Sequence, residues 1–337
     1  MNQAFAPLAV TMGDPAGCGP QITIAAWQAR KQSGLHPFFV IADPRLFDQQ
    51  VPVQTIDSPN AAHQCFANAL PVLPIRIDAF DMLIAGTPSG DFAAVIIKSI
   101  EMATAFALDG EASGVVTNPI SKAVLYDQGF AHAGHTEFIA SLCGGSDATA
   151  PEPVMMLVGG GLRVALATIH IPLLKVLEHL NPEKLAATAR ITHEALLKDF
   201  GLSTPRLAFT GLNPHAGESG SIGTEELDII NPVANTLRAE GLNITDARSA
   251  DTVFHDALSD QFDAVIAMTH DQGLIPVKTL DMWGGVNTTL GLPIVRTSPD
   301  HGTAYEAAAA ASCRPDSLIA ALKLAAELAE NRAKAHV

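Results

Sequence analysis

Short apolar runs alternate with longer helical patterns along almost the whole chain, and this alternation restricts the fold more than any other feature. Strands are expected at Leu8–Thr11, 38–41, 114–117, 154–158, 163–168, Arg206–Thr210, 264–268 and 293–296. Helices are expected over 91–108, 182–200, 225–239 (with a break at Pro232) and 316–333. Asn181 and Pro182 supply a cap and a first-turn proline, and Gly201 and Gly241 follow the last turns. Strands and helices alternating in this way give an α/β fold with mostly parallel sheets covered on both faces. Such sheets bind ligands beyond the carboxyl ends of their strands. The residues that follow each apolar run are therefore the ones to inspect.

Three runs end alike, at His170, His215 and His270. In each case the chain leaves a buried strand and presents an imidazole at its carboxyl end. Three neutral imidazoles brought together suit a borderline divalent ion and leave a fourth position open for water or substrate. A single histidine after a strand is more often a hydrogen-bonded loop residue. The separations of 45 and 55 residues, 170 to 215 and 215 to 270, also carry no local metal signature.

The loops around these histidines are rich in glycine and polar turn formers. Residues 211–223 read GLNPHAGESGSIG, a composition that lets backbone N–H groups approach a ligand. His270-Asp-Gln-Gly precedes Lys278, and Gly284-Gly-Val-Asn287 precedes Arg296. These two cations are candidates to hold a phosphate and a carboxylate, Arg296 in bidentate fashion. Two more glycine-rich turns follow strands, GDPAGCGP at 13–20 and PDHGTA at 299–304. No GxGxxG follows any strand, so a Rossmann dinucleotide site has no motif behind it.

Bulk properties exclude several classes. The 337 residues suffice for two modest α/β domains or one large one. A net charge of −15 with no basic run is the wrong sign for a nucleic-acid or anionic-membrane binder. The longest apolar runs fall short of a membrane span, and residues 1–10 lack the pattern of a signal peptide. A cytoplasmic protein is expected. Cys18, Cys65, Cys143 and Cys313 show no paired spacing and read as reduced thiols.

Seven motifs, taken together and in order, resemble the 4-hydroxythreonine-4-phosphate dehydrogenase family of pyridoxal phosphate biosynthesis. They are GDPAGCGP (13–20), GHTEF (134–138), LRVALATIHIPL (162–173), GLNPHAGESG (211–220), THDQGLIPVK (269–278), GVNTTLGLP (285–293) and RTSPDHGTA (296–304). The resemblance implies a fold similar to isocitrate and isopropylmalate dehydrogenases, with two α/β domains and a cleft between them. The domains would be 1–130 plus 290–337 on the cofactor side, and 131–289 on the metal and dimer side. It also implies a homodimer whose active site lies at the subunit interface. His170, His215 and His270 match the family's metal ligands, drawn from both subunits. His135, Thr136, Lys278, Asn287 and Arg296 match its substrate contacts. Gly13, Asp14, His301, Gly302, Thr303 and Ala304 correspond to the nicotinamide cofactor turns of the related dehydrogenases.

The activity so implied is oxidation of 4-phosphooxy-L-threonine by NAD or NADP, followed by decarboxylation to 3-amino-2-oxopropyl phosphate. Zinc is the first choice of metal, with magnesium, cobalt, nickel and manganese as alternatives. Asp251 and Lys278 are the candidates for proton transfer. The chain departs from the family at Thr269, where a tyrosine is common, and after HGTA, where it reads YEAAAAASC in place of a Gly-Lys/Arg-Gly turn. Alternative readings are a relative acting on a four-carbon sugar-acid phosphate or a dihydrodiol dicarboxylate, and a three-histidine metallohydrolase.

Overall fold

The computed structural model describes residues 5–132, 134–144 and 150–335. Its strands are β1 (Leu8–Thr11), β2 (Phe38–Ala42), β3 (Val53–Thr55), β4 (Leu70–Pro74), β5 (Val115–Val116) and β6 (Val154–Gly159), then β7 (Leu162–Leu166), β8 (Arg206–Thr210), β9 (Asn243–Arg248), β10 (Ala264–Ala267), β11 (Val286–Leu290) and β12 (Arg296–Pro299). The chain packs as two compact units. One comprises Met1–Pro153 and Leu292–Glu330, the other Val154–Gly291 and Asn331–Val337.

In the first unit the strands run in the order β3-β4-β2-β1-β5-β12, every neighbour pair parallel. β1 and β2 are buried along their full length, as strands covered on both faces must be. Their Leu8, Val10, Phe38, Phe39 and Ile41 are wholly buried, each worth roughly 1.5–3 kcal/mol of transfer free energy. The helices Gly19–Ser33 and Ala93–Leu108 flank this sheet, and His135–Gly144 packs on Ala93–Leu108. Met12 N–H donates to the buried Ser99 hydroxyl, which in turn donates to Ile41 O, so the Ala93–Leu108 helix is pinned to the ends of β1 and β2.

In the second unit the order is β11-β6-β7-β10-β8-β9. β7, β10, β8 and β9 are parallel neighbours, while β6 pairs antiparallel with both β7 and β11. Leu157, Val164, Ala267 and Val277 form the centre of one core cluster there. The helix expected over 225–239 is in fact a π-turn, Glu226–Ile230, running into the helix Asn231–Ala239. Pro232 falls in the first turn of that helix, where its missing N–H costs nothing. The strand expected at 293–296 begins instead at Arg296, because Pro293 cannot donate to a ladder and delays the pairing. Among the described residues no helix is long and apolar enough to cross a membrane.

Candidate active site

In the second unit, β7, β10 and β8 lie side by side and parallel, and the residues after their carboxyl ends reach His170, His270 and His215 in turn. Next to β8, β9 leads to Asp251. Hydrogen bonds lock these strand ends together. Thr168 Oγ1 donates to Met268 O at 2.6 Å. Gln272 accepts from Thr210 Oγ1 at 2.7 Å and from Met268 N–H at 3.0 Å, and it donates to Gly211 O at 2.8 Å. Gly211 N–H donates to Arg248 O at 2.7 Å.

His170 and His270 come together, with ring centroids 5.3 Å apart. His270 opens the helix His270–Leu280, and its Nδ1 lies 2.8 Å from Asp271 Oδ1. His215 sits on the exposed loop, near enough to Asp251 to act on its titration. Ser249 Oγ donates to Asp251 at 2.5 Å and is the main cause holding that carboxyl below its ordinary range. Among the described residues of one chain, no group of three histidine, cysteine or acidic side chains is arranged to hold a metal. The structure of one chain thus brings His170 and His270 together and leaves His215 beside Asp251.

The His215 loop is strained. Residues 215–219 all have left-handed backbone angles, with φ between 45° and 78°, and four of the five are not glycine. Each such residue costs about 1–2 kcal/mol. The buried carboxylate of Glu226 offsets this by accepting the N–H groups of Leu212 and Asn213, each at 2.8 Å, and Asn213 Nδ2 at 3.0 Å. Those two backbone donors, which the loop's composition suggested for a ligand, are used inside the loop. Sequence reading missed both Glu226 and Gln272, because neither residue type in a helical pattern signals burial.

Lys278 and Asn287 are half-buried, and the Asn287 Oδ1 is buried with no hydrogen-bond partner among the described residues. Lys278 lies two turns beyond His270 on the same helix.

In the first unit, β1, β5 and β12 are likewise adjacent and parallel, and three loops meet at their carboxyl ends. Asp14 N–H donates to Pro119 O at 2.9 Å, and Cys18 N–H donates to Thr303 O at 2.8 Å. Tyr305 Oη donates to Asp14 Oδ2 at 2.5 Å. Burial raises the Asp14 carboxyl against the opposing pull of Tyr305 and Ala16, and burial pushes the Tyr305 hydroxyl up to about 12. Gly13, Asp14 and the turn 301–304 are thereby brought together, with His301 and Gly302 exposed and open space over Gly302.

Arg296 is buried at the start of β12 and donates to Thr117 Oγ1 at 2.8 Å. Burial lowers it to about 10, with Glu137 pulling the other way, so it stays charged at neutral pH. His135 opens its helix with Thr136 beside it, and its buried Nε2 has no hydrogen-bond partner among the described residues. Burial, then Arg296, then Lys122 hold this imidazole well below the ordinary histidine range, so it is neutral.

A two-unit α/β chain with histidines and glycine-rich turns gathered at strand carboxyl ends has the architecture of proteins that bind ligands at those ends. Residues 35–325 match the family model "Pyridoxal phosphate biosynthetic protein PdxA". A 4-hydroxythreonine-4-phosphate dehydrogenase of Maricaulis maris is 49% identical over 337 residues, covering 98% of this chain and 99% of its own. The crystal structure of 4-hydroxythreonine-4-phosphate dehydrogenase from Klebsiella pneumoniae superposes with a TM-score of 0.85 at 33% identity, covering 96% of this chain and 99% of that one. A terephthalate 1,2-cis-dihydrodiol dehydrogenase from Burkholderia xenovorans matches less well, with a TM-score of 0.66 and 26% identity, over 96% and 98%. The chain belongs to the PdxA family, that of the 4-hydroxythreonine-4-phosphate dehydrogenases.

Proposed function

We propose that the chain oxidises the C3 hydroxyl of 4-phosphooxy-L-threonine with NAD or NADP and decarboxylates the product to 3-amino-2-oxopropyl phosphate. The working enzyme is a cytoplasmic homodimer that holds a divalent ion, zinc foremost. Family membership along nearly the whole chain carries this reading. The much lower likeness to the dihydrodiol dehydrogenase favours a phosphorylated substrate over a dihydrodiol.

The side chains fit the implied metal in a particular way. His170 and His270 stand close, and both are reachable from solvent. Among the described residues of one chain no third ligand joins them, and in this proposal His215 of a second copy completes the set. Exposed apolar residues follow both histidines, Leu173, Leu174 and Leu177 after the first and Ile275, Met282 and Trp283 after the second. Apolar surface of this kind is what a subunit interface covers. When bound, the ion supplies charge stabilisation to the substrate's C3 oxygen in both steps.

The chain's own residues do the rest. Arg296 and His135 hold the phosphate, with Thr136 beside them. Lys278 and Asn287 orient the remainder of the substrate, Asn287 Oδ1 accepting a hydrogen bond that none of the described residues supplies. Asp251 is ionised at neutral pH and able to accept the hydroxyl proton, and Lys278 is the second proton-transfer candidate. The interlocked turns around Asp14 and 301–304 suit the nicotinamide cofactor, with the exposed His301 ring and the open space over Gly302 available to it.

Mixing purified protein, NAD or NADP and 4-phosphooxy-L-threonine should produce the reduced-nicotinamide absorbance, and prior treatment with chelator should abolish it. Turnover that persists after complete metal removal would overturn the metal part of the proposal, and no turnover with either cofactor would overturn the substrate.

A further inference from the structure

We propose that Lys122 is a substrate-binding residue which, with His135 and Arg296, forms the pocket in the first unit that takes a phosphate dianion. This rests on the reading above, in which a phosphorylated substrate is bound at His135 and Arg296, and extends it to a residue that no motif singled out.

The position of Lys122 is built, although its side chain reaches solvent. β5 ends at Val116, and the loop that follows is held by Asn118, whose Nδ2 donates to Thr11 O at 2.9 Å and to Thr23 Oγ1 at 2.8 Å. Asn118 N–H donates to Thr11 Oγ1 at 3.1 Å, and Pro119 O accepts from Asp14 N–H. Ser121 then caps the short helix that Lys122 opens, its Oγ accepting from Val124 N–H at 3.4 Å. Lys122 therefore leaves the same platform of strand ends that positions Arg296 and Asp14.

The side chain turns toward the substrate residues. A Cβ placed on Gly134 would come within 3.1 Å of Lys122 Nζ and 3.0 Å of its Cε. Any other residue at 134 would push the ammonium away from the start of the His135 helix. His135 faces two cations, Arg296 and Lys122, and its buried Nε2 lacks a partner. Glu137 is the carboxylate facing Arg296, and it too flanks Gly134, at 3.1 Å from the same Cβ position. Two cations, set against the single carboxylate of Glu137, leave the group net positive, and with a neutral imidazole that can present an N–H they suit an anion rich in acceptors. A phosphate monoester brings three terminal oxygens, enough to accept from the Lys122 ammonium, the Arg296 guanidinium and the His135 imidazole at once, which a carboxylate with two oxygens does less well.

The test uses the full-length protein and inorganic phosphate as probe, with Kd read by calorimetry and KM and kcat read from NAD reduction. Lys122→Met should weaken phosphate binding by about tenfold or more, as loss of a charge-assisted contact does. The KM for 4-phosphooxy-L-threonine should rise in parallel while kcat changes little. Lys122→Arg should recover most of the affinity. Unchanged phosphate affinity in Lys122→Met, or no phosphate binding by the wild type, overturns the proposal, as does a loss of kcat with KM unaltered. If the wild type binds phosphate in a Lys122-dependent way but does not oxidise 4-phosphooxy-L-threonine, the anion pocket stands and the substrate assignment falls.

Discussion

At the scale of single residues, Gly13 carries more than its place in a glycine-rich turn implies. Its φ is +70°, and a Cβ there would lie 2.6 Å from Asn118 Cβ and 2.8 Å from Pro119 O. The missing side chain is what lets the turn after β1 close onto the loop after β5. Gly13→Ala should therefore destabilise the fold by about 2 kcal/mol or more, read from denaturant unfolding. Under the proposed cofactor assignment it should also weaken NAD binding, because the Asp14 turn must shift. His170, His215 and His270 stood out in the sequence because each comes soon after an apolar run, and a parallel sheet delivers such loops to one end; within one chain the structure brings only His170 and His270 together. Glu226, Gln272 and Lys122 were not legible. An acidic or amide residue in a helical pattern and a lysine after a loop are ordinarily solvated, and only tertiary contact shows what each one holds or faces.

At the scale of elements, the ends of the second unit's strands are fixed at both sides. Arg206 and Asp263 join the beginnings of β8 and β10, with Arg206 N–H and Nη2 donating to Asp263 at 2.7 and 2.8 Å. The Arg206 guanidinium is the main cause holding the Asp263 carboxyl below its ordinary value of 3.8. A depressed folded value means that Asp263 adds stability above pH 3.8, which is lost as pH falls from there through the folded value. Asp263→Asn should therefore flatten the acid limb of the stability curve measured by denaturant titration between neutral pH and pH 3. The same acid limb in wild type and variant would contradict this. Element boundaries were read well where apolar runs were uninterrupted, as at β1, β6 and β8. β4 and β11 escaped notice, the first because prolines occupy two of its five positions, the second because its threonine-rich run sits among glycines that read as a turn. β9 is half exposed and polar, so it carries no apolar signal.

At the scale of the whole molecule, the proposed metal site depends on where its third imidazole comes from. His170 and His270 meet within one chain, and no triad forms there among the described residues. A C2 dimer has two equivalent sites, and in this reading each would be assembled from both chains. The deciding measurement mixes two variants, His215→Ala and His270→Ala, each a dimer without activity or bound metal, after joint dissociation and reassociation. A mixed dimer then contains one site with all its histidines and one lacking two, so random reassortment should restore about one quarter of the wild-type activity, with metal bound in proportion. A mixture that exchanges subunits yet recovers neither metal nor NAD reduction would contradict a shared three-histidine site.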